Sequence, residues 1–167
     1  MQKLKILLLE DNPLDAELIR EKLGRELDFD LVFRRVETRN EYLAQIEGFD
    51  PDVILSDYAL PQYDGFEALA DLKATGRLLP FIIVTGRLGE EVAVDAIKAG
   101  AWDYVVKQRL ERLPAAVENA LVRKQERLER QRVEMQYRIL SGAVENAPVS
   151  VMVTDKEGVI VYVNPKF

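Results

Sequence analysis

Lys5-Ile6-Leu7-Leu8-Leu9-Glu10-Asp11 decides how the rest of this chain is read. An apolar run stops abruptly on two carboxylates, and Asn12-Pro13, a pair suited to starting a helix, follows at once. A strand that is apolar at nearly every position has both faces covered, as in a parallel sheet lying between helices. The run is far too short for a signal segment or a membrane span.

Working outward, similar β-rich runs recur at 31–36, 53–55, 81–84 and 104–106. The second carries Arg34 and Arg35 and therefore suits an edge. Amphipathic segments lie between the runs. Leu14, Leu18, Ile19 and Leu23 precede Gly24, which suits a helix stop, and Thr38-Arg39-Asn40-Glu41 reads as a capping box. Phe66, Leu69 and Leu72 precede Gly76, and Val92, Ala93, Ala96 and Ile97 precede Gly100. A fifth helix is expected from near Leu110, with Pro114 tolerable in its first turn. Strand–helix alternation of this kind predicts an α/β fold, a doubly wound five-stranded parallel sheet. In such sheets ligands bind beyond the carboxyl ends of the strands.

Composition narrows the chemistry. The 167 residues are 48% hydrophobic and 31% charged, with a net charge of −6, which fits a globular chain and argues against a general nucleic-acid binder. Cys and His are both absent, excluding disulfides, thiolate or imidazole catalysis and zinc sites built on those ligands. Carboxylates, lysine, hydroxyls and an oxygen-bound metal remain. Without Cys, an export signal or a span, the expected location is cytoplasmic.

The predicted strand ends carry Glu10 and Asp11, Asp57, Thr85 and Lys107. Singly, each has a plainer reading: Asp11 as a helix cap, Thr85 as a loop hydroxyl, Lys107 as a solvated cation. Their joint occurrence at four of five strand ends outweighs those readings. Three converging carboxylates call for a hard cation, and Mg2+ fits best. A carboxylate nucleophile beside Mg2+ and a lysine is equipped to accept a phosphoryl group as an acyl phosphate.

Residues 3–122 resemble the receiver domain of two-component response regulators. The resemblance rests on Glu10-Asp11, Val53-Ile54-Leu55-Ser56-Asp57, Pro61-Gln62-Tyr63-Asp64-Gly65, Ile82-Ile83-Val84-Thr85 and the stretch from Ala99-Gly100-Ala101-Trp102 through Asp103-Tyr104-Val105-Val106-Lys107. It implies a flavodoxin-like strand order 2-1-3-4-5 and phosphorylation of Asp57 by a histidine kinase or phosphotransfer protein. It also implies Mg2+ held by Asp11, Asp57 and the backbone carbonyl of Ala59, with Glu10 acting through water. Thr85 and Lys107 would contact the phosphoryl group, and Thr85 and Tyr104 would form a switch pair. From sequence alone, Tyr104 equally suits a half-buried strand aromatic with its hydroxyl at the surface. Two positions depart from the family pattern. Gln108 follows Lys107 where receivers usually have proline, so a trans peptide and a different loop are expected. Gly86 follows Thr85 where alanine is commoner, which loosens the loop or opens it to water and bears on phosphoryl lifetime.

Residues 123–143 read as a charged helical linker continuing the fifth helix. Leu121, Leu128 and Met135 recur every seven residues and suggest a homodimer seam. Residues 144–167 contain two β-rich runs around a glycine turn and resemble the opening of a PAS domain, including Tyr162-Val163-Asn164-Pro165. The expected organisation is therefore a receiver (1–122), a linker (123–143) and an incomplete PAS segment (144–167) of a longer signalling protein. Such a protein would end in an output such as a kinase or a cyclic-dinucleotide enzyme. This fragment itself is expected to be a phosphoacceptor rather than an enzyme, without nucleic-acid or membrane contact. Two other readings compete: an Asp-nucleophile phosphohydrolase, which needs a second Asp where Ala59 stands, and a constitutive dimerisation module.

Overall fold

The computed structural model describes residues 2–86 and 90–167. The chain divides into two compact units, Met1–Lys124 and Gln125–Phe167. In the first, β1 (Lys3–Leu9), α1 (Pro13–Glu26), β2 (Asp30–Val36), α2 (Arg39–Gly48), β3 (Val53–Ser56), α3 (Gly65–Ala74), β4 (Phe81–Thr85), α4 (Glu90–Ala99) and β5 (Asp103–Val106) alternate along the chain. All four neighbouring strand pairs are parallel, and the order is β2-β1-β3-β4-β5, the flavodoxin-like arrangement.

Period-2 alternation explains why the central strands are apolar throughout. Leu4, Ile6 and Leu8 of β1 join Val53, Leu55, Ile82, Val84 and Val105 on the face covered by α1 and α5 (Leu113–Glu145). Leu7 and Leu9 join Ile54, Phe81, Ile83 and Tyr104 on the face covered by α2, α3 and α4. Each such side chain contributes about 1.5–3 kcal/mol on burial, so a one-residue slip of register would be heavily penalised.

Several helix ends follow local sequence logic. The capping box at Thr38 and Glu41 forms at the start of α2, and Asp64 with Glu67 makes a second at α3. Gly76 and Gly100 adopt φ of +71° and +98° just beyond α3 and α4. Gly24, however, lies inside α1. The helix continues until Leu27, whose N–H bonds to the Leu23 carbonyl at 2.9 Å and whose side chain turns into the core. The fifth helix also starts later than its pattern suggests. Lys107–Arg112 form a 3₁₀ turn in which Arg109 leaves helical geometry at φ −132°, ψ 47°. α5 then begins at Leu113, with Pro114 in the first turn where its missing N–H costs nothing.

α5 runs unbroken to Glu145. In the second unit the helix carries exposed Leu128, Val133, Met135, Ile139 and Leu140, with surface pairs Glu129–Arg132 and Glu134–Arg138. Beyond it, β6 (Met152–Thr154) and β7 (Ile160–Val163) form an antiparallel hairpin with an irregularity at Val153/Thr154. Asp155 closes its turn by accepting from the Glu157 and Val159 N–H groups, and Gly158 supplies φ +86°. Asn164 is buried and donates to the Val144 and Val149 carbonyls while accepting from the Val151 N–H. No described helix is long and apolar enough to cross a membrane.

Candidate functional site

The site is built at the carboxyl ends of β1, β3, β4 and β5. Leaving β1, the Glu10 N–H is held by the Val36 carbonyl at 3.1 Å, and Glu10 Oε1 accepts from the Asn12 N–H at 3.0 Å. Arg35 of β2 donates to the carbonyls of Glu10 and Asp11 at 3.2 and 3.3 Å, pinning the acidic loop. Asn12, not Asp11, caps α1 by accepting from the Leu14 N–H. The plainer reading of Asp11 therefore fails, and its carboxylate is left for the site.

Asp57 follows β3, and its N–H donates to the Leu9 carbonyl at 2.8 Å. Its Oδ1 accepts from the Ala59 N–H at 3.2 Å and its Oδ2 from Lys107 Nζ at 2.8 Å. The loop beyond is held by Tyr63, whose hydroxyl donates to Asp71 at 2.6 Å, and by the Gly65 N–H on the Tyr58 carbonyl at 3.0 Å. A Cβ on Gly65 would stand 2.9 Å from the Asp57 carbonyl oxygen, so this glycine permits a close backbone approach behind the carboxylate. Ala59 offers no carboxylate two residues after Asp57, which the phosphohydrolase reading requires.

Lys107, at the end of β5, donates to Asp15 at 2.6 Å, Glu10 at 2.7 Å and Asp57 at 2.8 Å, using all three ammonium protons. Burial alone would push its pKa down, but the bonds to Asp15, Asp57 and Glu10 outweigh it and hold it above its ordinary value. Glu10 is fully buried, and that desolvation raises its pKa despite the Lys107 bond. Asp15 was missed by sequence reasoning. The available signal was its place in the first turn of the helix after the acidic pair, four residues from Asp11.

Glu10, Asp11 and Asp57 each place a carboxylate oxygen within 4.8 Å of the others. Among the described residues one lysine stands with four carboxylates when Asp15 is counted, so the described cluster carries a surplus of negative charge. An all-oxygen donor set with that surplus fits a hard divalent cation.

Thr85 is buried at the end of β4, and period-2 alternation puts it on the same sheet face as Ile83, the register partner of Tyr104. Tyr104 is only 9% exposed and packs in the cluster beneath α2, α3 and α4, with its pKa raised by burial. The ring is thus more deeply placed than the half-buried strand aromatic that the sequence left open. The peptides of the described residues are all trans, that between Lys107 and Gln108 included. The side chain of Gln108 reaches back, its Nε2 donating to the Gly86 carbonyl at 3.0 Å.

Residues 6–118 match the family of the response regulator receiver domain. The chain is 36% identical over 100 residues to the DNA-binding transcriptional regulator NtrC of Salmonella typhimurium, covering 59% of this chain and 21% of that protein. It is 33% identical over 110 residues to a protein-glutamate methylesterase/protein-glutamine glutaminase of Nocardioides, covering 64% of this chain and 30% of the other. Among solved structures, the signal receiver domain of a Luxo repressor protein from Vibrio parahaemolyticus superposes with a TM-score of 0.66 at 28% identity, over 75% of this chain and 95% of that one. The chain spans less than a third of either curated relative's length.

Proposed function

This chain belongs to the response regulator receiver family, and from that premise we propose that it accepts a phosphoryl group on Asp57 from the phosphohistidine of a histidine kinase or phosphotransfer protein in the cytoplasm. One observation carries this reading: Lys107 Nζ rests 2.8 Å from Asp57 Oδ2, with Glu10 and Asp11 gathered around the same carboxylate. An Asp57 oxygen attacks phosphorus, the donor's P–N bond breaks, and the imidazole leaves with its electron pair and takes a proton. Lys107 holds one phosphoryl oxygen and the Thr85 hydroxyl a second, offsetting charge on the equatorial oxygens. Asp11, Asp57 and the Ala59 carbonyl would hold Mg2+, with Glu10 acting through water, and the ion would supply further neutralisation of those oxygens.

Incubation with acetyl phosphate and Mg2+ should add one phosphoryl mass that hydroxylamine removes. Asp57→Asn should abolish the shift. Full labelling of that variant on another carboxylate would sink the assignment.

The same reading makes Thr85 and Tyr104 the switch pair, since they share a sheet face and β5 leads through the 3₁₀ turn into α5. Residues 144–167 serve as the opening of a PAS segment that receives the signal, supported by the hairpin and its Asn164 clasp. The differing outputs named for the two curated relatives, DNA binding and ester hydrolysis, leave the output to sequence beyond the receiver. A parallel homodimer through α5 is part of the proposal, with a seam shorter than the heptad spacing suggests. Leu121 packs on the sheet core, leaving Leu128 and Met135 exposed for a second copy. Sedimentation should show a dimer that Leu128→Glu dissociates; a monomer at millimolar concentration rejects the seam.

A further inference from the structure

The two positions that depart from the family pattern touch each other, and we propose that Gln108 is a positioning residue that sets how long the phosphoryl group survives on Asp57. The inference rests on the phosphoacceptor reading given above.

Thr85 and Val106 are the last register pair of β4 and β5. Thr85 closes β4 and Lys107 follows β5, and both would contact the phosphoryl group in the reading above. Gln108 Nε2 donates to the Gly86 carbonyl at 3.0 Å, so its side chain ties the two segments together beyond the ladder. Proline at 108 would carry no such donor.

Among the described residues nothing gives Gly86 a steric reason to be glycine: a Cβ there meets none of them within 4 Å, and its φ lies outside the left-handed region. What glycine contributes is backbone freedom immediately after the phosphoryl-binding hydroxyl. The Gln108 bond restrains that freedom from across the sheet end. Without it the backbone at Gly86, next to Thr85, swings more widely and water reaches the acyl phosphate more often. In the hydrolysis that results, water attacks phosphorus, the bond from phosphorus to the Asp57 oxygen breaks, and inorganic phosphate, a carboxylate and a proton are released. The bond is exposed, so its effect on rate is modest.

The test compares wild type with Gln108→Met, which keeps side-chain length and removes the donor. After labelling with acetyl phosphate and removal of the donor, loss of the phosphoryl mass should be about three- to tenfold faster in the variant. The thermal midpoint should stay unchanged, because an exposed bond is lost and no core is touched. Gly86→Ala should slow the loss in the Gln108→Met background more than in wild type, since it restricts the backbone at the same residue by another means. Equal lifetimes in wild type and Gln108→Met overturn the clasp while leaving Asp57 as acceptor. A matching fall in thermal midpoint assigns Gln108 a structural role instead and also overturns it. A wild-type chain that takes no phosphoryl group overturns the acceptor reading, and the clasp with it.

Discussion

At the ends of the parallel strands three carboxylates share Lys107 with Asp11 beside them, whereas at the strand starts the acids Asp50 and Asp52 have basic neighbours in Arg77, Lys5 and Lys124. Asp50 pairs with Arg77, which also donates to the Ile46 carbonyl. Asp52 accepts from the Lys5 N–H at 2.9 Å. Lys5 and Lys124 donate to the carbonyls of Phe49 and Asp52 at 3.1 and 3.2 Å, and Lys5 and Arg34 lie over the Phe49 ring. Both poles close the same sheet with the same residue types. A surface shaped for stability alone would be matched at both. The excess of acid among the described residues at one pole fits the entry of an external positive charge, as the phosphoacceptor proposal requires.

The largest expected contrast comes from glycine. Gly65→Ala forces a Cβ against the Asp57 backbone carbonyl, which cannot yield cheaply. We expect a loss of about 1–3 kcal/mol in urea denaturation and labelling of Asp57 reduced at least about tenfold, since small displacements of a reacting group are costly. Gly48→Ala, near the strand-start pole, meets nothing within 4 Å and should be neutral or slightly stabilising. Equal effects at both positions would remove the claim that backbone packing behind the acceptor is tighter than at Gly48.

Charge removal should carry opposite signs at the two poles. Without divalent ions, Asp11→Asn relieves repulsion and should raise stability by on the order of 1 kcal/mol. Asp50→Asn breaks an exposed pair and should lower it by only a few tenths of a kcal/mol, because solvent screens the interaction. Adding Mg2+ should stabilise wild type and leave Asp11→Asn nearly unmoved, measured as a thermal shift. An unchanged Mg2+ response in Asp11→Asn would separate the acidic cluster from the metal.

The smallest contrast is in pH dependence, measured in chelator. Burial raises the Glu10 pKa, so its folded-state contribution is present below the ordinary glutamate value, about 4.3, and is lost as pH rises through the folded value. Glu10→Gln should therefore gain on wild type as pH climbs. The Arg77 guanidinium lowers the Asp50 pKa, so its stabilisation is present above about 3.9 and is lost as pH falls through the lower folded value. Asp50→Asn should thus converge on wild type in acid. Parallel urea midpoints for both variants across pH 3–7, on the order of half the transition range, would erase the distinction between poles.

Much of this was open to reading in the chain. Strand positions followed from apolar runs, and the boxes at Thr38 and Asp64 are contained within four residues each. Lys107 and its Glu10 and Asp57 partners were singled out because they end strands. Other features escaped. Gly24 looked like a stop, yet the helix continued because Leu27, not the glycine, turns the chain into the core. Leu121 looked like a free seam residue because a heptad pattern cannot tell a partner helix from the sheet beneath.

The sequence by itself determined local matters: element type, most helix caps, and which residue stands at each strand end. Those depend on backbone geometry and neighbours a few positions away, so a short window contains their cause. Only the tertiary structure decided that Asp15 joins Glu10 and Asp57 on one ammonium, across separations of 92, 97 and 50 residues, and that Gln108 reaches Gly86. Strand order and register bring those groups together. Residue spacing along the chain encodes neither the distance between two loops nor which of several acids an ammonium with three protons will meet.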